Sequence, residues 1–81
     1  MKFFGGKPAI LIFHRDRRGV IAKVAALIAR SGLNVAHMEV SRHEKGGEAL
    51  MIVEVDQAVT PALLGELASV QFVENVTGMA G

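Results

Sequence analysis

The chain has 81 residues, enough for one small domain, and at this size folding buries only roughly 60–65% of the surface the unfolded chain exposes. With no cysteine it has neither a disulfide nor a thiolate metal site to add stability, so association with another chain or domain is the remaining source. Half of the residues are hydrophobic (51%) and 21% are charged, which excludes disorder. Nine basic against eight acidic side chains leave a net charge of +1, too balanced to hold nucleic acid or anionic lipid by charge alone.

Met1 to Lys7 carries Phe3-Phe4-Gly5-Gly6 and precedes Pro8, so residues 1–8 are expected to be a mobile leader or the stub of a linker. The folded domain is expected over 9–78, with 79–81 as a tail. Ala9 to His14 is a continuous apolar run, which predicts a strand buried on both faces. Val20, Ile21, Val24, Leu27 and Ile28 then form one helical stripe. Gly32, just after Ser31, suits the left-handed residue that closes such a helix. That helix is expected to run about 14 residues and about 21 Å.

From Asn34 to Arg42 the period changes to two, with Ala36, Met38 and Val40 on one face and Val35, His37, Glu39 and Ser41 on the other. The Lys45-Gly46-Gly47 turn then joins this second strand to a third at Ala49 to Val55. Thr60 is placed to cap, and Pro61 to open, a second helix carrying Leu63, Leu64 and Leu67, and Phe72 to Val76 predicts a short last strand. Strand, helix, strand, strand, helix, strand is the α+β, ferredoxin-like (split βαβ) order. Right-handed crossovers place the strands 4-1-3-2 in one antiparallel sheet with both helices on one face, so the second strand is an edge.

The densest polar cluster is His14-Arg15-Asp16-Arg17-Arg18-Gly19, between the first strand and the first helix. Free backbone N–H groups at a helix N-terminus suit a carboxylate or a phosphate. The plain structural reading has Asp16 capping the helix, the arginines solvated and His14 ending a strand. The functional reading is an amino-acid site, with backbone amides and His14 toward the α-carboxylate and Asp16 toward the ammonium or a side-chain hydroxyl.

His14 to Gly19, followed by Val20-Ile21-Ala22 and then by Gly32-Leu33-Asn34-Val35-Ala36, resembles the ACT domain, a regulatory module that binds amino acids beside metabolic enzymes. The resemblance covers Pro8 to Val76. His37-Met38-Glu39-Val40-Ser41-Arg42, Lys45-Gly46 and Ala49 to Asp56 look most like the ACT domain closing the β chain of iron–sulfur-dependent L-serine dehydratase, with that of phosphoglycerate dehydrogenase second. Many members carry Pro where this chain has Arg18, a departure that suits the dehydratase group.

The resemblance implies a non-catalytic regulatory domain that senses L-serine or another small amino acid, joined to the catalytic domain or chain of its parent enzyme. With no signal-peptide or membrane-span pattern in the sequence, a cytoplasmic protein is expected. It also implies ligand-binding roles for His14, Asp16 and Asn34, with Arg18, Gly19 and Val20 supplying the helix terminus. Strands one and two run parallel, so His14 and Asn34 fall at opposite ends of one domain, and one chain alone cannot close the site. A homodimer pairing two second strands about a two-fold axis would bring Asn34 of one chain beside His14 and Asp16 of the other. No cofactor is expected in this chain: the 4Fe-4S cluster of the parent needs Cys thiolates, and there are none.

Other functions find less support. An acylphosphatase-like anion site would need an Asn on the third strand, where Ala49 to Val55 has none. RNA binding would need exposed aromatics on strands one and three, where only Phe13 is available and is expected to be buried. His37 and His43 are about 20 Å apart along the second strand, too far to share a metal ion. The longest apolar run falls far short of a membrane span.

Overall fold

The computed structural model describes residues 7–42 and 47–79. Among them are four strands and two helices: β1 (Ala9–Arg15), α1 (Val20–Arg30), β2 (Val35–Arg42), β3 (Glu48–Val55), α2 (Pro61–Ala68) and β4 (Val73–Met79). The sheet is antiparallel in the order β2-β3-β1-β4, the expected 4-1-3-2 arrangement read from the other edge. Lys45 and Gly46 of the expected β2–β3 turn, and Met1 to Gly6 of the expected leader, lie outside the described residues.

One face of the sheet carries the core. Ile10 and Ile12 of β1 and Met51, Val53 and Val55 of β3 meet Val20, Val24 and Ile28 of α1 and Leu63 and Leu67 of α2 in a single cluster. Both helices therefore cover the same face. Among the described residues no helix lies over the other face, and this corrects the expectation of a first strand buried on both sides. Leu11 is only half-buried, and Phe13 is 42% exposed, because odd-numbered residues of β1 project away from the helices. An exposed Phe13 also removes one of the grounds against RNA binding. It is still a lone aromatic on β1 and β3, short of a stacking platform.

α1 has 11 residues, about 17 Å, shorter than the periodicity suggests. Ser31 ends it, its N–H on Leu27 O and Ile28 O and its hydroxyl on Ile28 O, and Gly32 follows at φ 85° as expected. Ile21, counted in the apolar stripe, is exposed. α2 begins as the sequence indicates: Thr60 Oγ1 accepts from Leu63 N–H at 3.2 Å, with Pro61 in the first turn. β4 starts one residue later than expected and runs on to Met79, in register with Ala9. Phe72 is not in the strand but in the left-handed region at φ 74°, an uncommon conformation for a bulky side chain.

Candidate functional site

Four backbone hydrogen bonds shape the segment between β1 and α1. Arg15 N–H donates to Phe72 O at 2.9 Å and Asp16 N–H to Gly47 O at 2.7 Å, so the segment is tied to the starts of β4 and β3. Arg17 N–H turns back to Arg15 O at 2.8 Å, and Val20 N–H reaches Arg17 O at 3.4 Å. Gly19 takes φ 87°, a conformation that favours glycine, and the chain enters the helix from there.

The residue at the N-cap position is Gly19, and no side chain caps the helix. Asp16 therefore does not cap α1. Its carboxylate instead meets Arg42 Nε at 3.3 Å, and it is largely shielded from solvent. Val20 N–H is taken by Arg17 O, and with no side-chain cap the next amides, those of Ile21 and Ala22, are left to water or a ligand. Arg17 lies over the Phe72 ring, 5.1 Å from its centroid, a cation–π contact. Arg18 and Gly19 are exposed, and the Val20 side chain belongs to the core, so Val20 can offer only backbone.

His14 projects to the helix-covered side and is 2% exposed. Its Nδ1 lies 2.8 Å from Arg15 O. A carbonyl can only accept, so Nδ1 carries the proton, and in the neutral ring Nε2 is an acceptor. That Nε2 is buried and has no hydrogen-bond partner among the described residues, a costly arrangement in a closed interior. With Nδ1 engaged by Arg15 O, Nε2 is the ring atom that His14 can offer to a ligand.

Asn34 stands at the other end. β1 runs opposite β3 with His14 beside Ala49, whereas Asp56 N–H donates to Asn34 O at 3.0 Å. Seven steps along the chain from Ala49 to Asp56 separate those two points, about 23 Å. His14, Asp16, Arg18, Gly19 and Val20 are thus gathered at one end of the sheet, and Asn34 is not with them. The Asn34 side-chain amide donates to Asp56 Oδ2, and Lys7 Nζ donates to Asp56 Oδ1 at 2.7 Å. The hydrogen bonds from Lys7 and then Asn34 hold the Asp56 carboxyl below its ordinary value, and the same bond raises the Lys7 ammonium above its own.

Sequence reasoning does not single out Lys7, Asp56 or Arg42. The signal is in the register: continuing the Ala9–Glu54 pairing outward by two residues sets Lys7 opposite Asp56. Likewise Arg42 faces Ala49, which faces His14, so Arg42 sits near Asp16. A shallow groove of about 330 Å³ is lined by Phe13, Ser41, Arg42, Glu48, Ala49 and Leu50; it adjoins the site through Arg42, the partner of Asp16, but none of the residues expected from the sequence line it. His37 pairs with Glu39 at 3.2 Å, and no metal-binding cluster occurs among the described residues; His43 lies outside them.

Fold and site together define a ferredoxin-like domain with an uncapped helix terminus beside a buried histidine. Residues 9–72 match the family model of the ACT domain. A probable L-serine dehydratase β chain of Bacillus subtilis is 42% identical over 80 residues, 99% of this chain and 36% of that protein. D-3-phosphoglycerate dehydrogenase of the same organism is 36% identical over 74 residues, 91% of this chain and 14% of that protein. The ACT domain of GTP pyrophosphokinase from Chlorobium tepidum superposes with a TM-score of 0.74 at 19% identity, over 89% of this chain and 95% of that one. The chain belongs to the ACT-domain family of regulatory modules, and it spans about a third or less of the length of these curated relatives.

Proposed function

We propose that this domain binds L-serine and regulates an L-serine dehydratase, an enzyme that converts L-serine to pyruvate and ammonia in the cytoplasm. The observation that carries the reading is the buried His14 Nε2, without a partner among the described residues, at the end of the strand whose following segment leads into the uncapped N-terminus of α1. A polar atom sealed from water without a partner is what a ligand-binding side chain looks like before its ligand arrives. The α-carboxylate would lie on the amides heading α1, with Arg18 beside them. The likeness to the dehydratase β chain over nearly the whole chain supports the choice of serine. The likeness to phosphoglycerate dehydrogenase supports a second reading, in which the same ligand regulates serine synthesis.

The site is shared between two protomers. β2 is an edge strand, and pairing two copies of it antiparallel closes the 23 Å gap by setting Asn34 of one protomer near His14 and Asp16 of its partner. An iron–sulfur cluster does not fit this chain, which has no thiolate to hold one, so a cluster in the parent enzyme is held by other residues.

The test is a thermal melt with a panel of twenty amino acids. A ligand that binds only the folded form adds about 2.7 kcal/mol at one hundred times its dissociation constant, which raises the Tm of a domain this small by several degrees. L-Serine is expected to give the largest shift, and Asn34→Ala to remove it. A panel in which no amino acid moves the transition contradicts the reading.

A further inference from the structure

Asn34 is held at two points by one residue. Its backbone oxygen accepts from Asp56 N–H, and its side-chain nitrogen donates to Asp56 Oδ2. An ionised carboxylate can only accept, so the amide cannot turn over without setting oxygen against oxygen. Lys7 fixes the other carboxylate oxygen. The Asn34 Oδ1 atom is therefore presented outward, as an acceptor, by a side chain that is itself exposed. At the opposite end of the sheet, the Nδ1 bond to Arg15 O leaves Nε2 as the one ring nitrogen of His14 that can accept.

We infer that Asp56 is a positioning residue that sets the hydrogen-bonding polarity of the shared site, so that Asn34 of one protomer and His14 of its partner both select donors on the ligand. This rests on the serine reading above. A zwitterionic amino acid with a β-hydroxyl has two kinds of donor, the α-ammonium and the hydroxyl, and its carboxylate is left for the amides of α1. The polarity explains discrimination by chemistry rather than by size. A ligand with the same shape but no hydroxyl donor leaves a buried acceptor unpaired, and one such loss is worth about tenfold in affinity.

The experiment measures dissociation constants by calorimetry on the full chain. The probes are L-serine, L-alanine and 3-fluoro-L-alanine, which keeps the reach of serine without its hydroxyl proton. L-Serine is expected to bind about tenfold tighter than either of the others. Asp56→Ala is expected to weaken L-serine about tenfold, whereas Asp56→Asn, whose amide oxygen still accepts from Asn34, recovers most of the loss. A purely structural role for Asp56 would move the unliganded melt without this split between variants. If L-serine fails to bind the unaltered chain, the serine reading and this one fall together. Should L-serine bind but 3-fluoro-L-alanine bind equally well, or Asp56→Ala bind as the parent does, the polarity assignment is overturned and the serine reading stands. Where Asp56→Ala does not fold, the ligand series on the unaltered chain still decides.

Discussion

Asp56 joins residues that are far apart in sequence, and its ionisation has a consequence for stability. Its carboxyl is held below the ordinary aspartate value of 3.8, chiefly by the Lys7 hydrogen bond and then by Asn34. A depressed carboxyl pKa contributes stability that is present above the unfolded value and lost as pH falls through the folded one. The Lys7 ammonium, raised above 10.5, contributes stability present below that value and lost as pH rises past it. The stability difference between the parent chain and Lys7→Met should therefore be level between about pH 5 and pH 9 and should shrink at both extremes. Urea unfolding across that range checks it, and a difference that grows on acidification would mean that the pair does not form.

At the scale of elements, helix ends are where local chemistry decides. Thr60→Ala removes the acceptor for Leu63 N–H and should cost about 1 kcal/mol by denaturant unfolding, without changing ligand affinity, since α2 holds none of the candidate residues. Gly32 closes α1 at φ 85°, and no atom lies within 4 Å of the place a Cβ would occupy. Gly32→Ala therefore meets no clash and should cost only the left-handed backbone strain, about 1 kcal/mol. A much larger loss would show that something packs there.

These two ends are legible in the sequence because Thr-Pro and Gly act locally. The N-terminus of α1 is less so. Asp16 has the composition of a cap, but two backbone hydrogen bonds to neighbouring strands pull its segment out of capping position, and Gly19 takes that place. β1 departs from expectation for a related reason: an unbroken apolar run does not say which face the helices cover, so the exposure of Phe13 had to come from tertiary structure. His14 and Asn34 are found through the motif. Asp56 is not, because its role exists only when β1 and β3 are in register.

For the whole molecule, the sheet order leaves β2 and β4 as edges and puts the two halves of the candidate site at opposite ends. A single domain of this size buries a modest core, and pairing through β2 would add to it while completing the site. The most direct measurement uses two defective chains, His14→Ala and Asn34→Ala. Each alone should assemble and show no L-serine binding. After mixing and exchange, about half of the dimers are mixed, and each has one site with both residues intact, so about a quarter of the normal sites should return. Recovery of that fraction by calorimetric titration is the predicted result. No recovery from a mixture shown to have exchanged, or normal binding by either variant alone, would contradict a site shared between protomers.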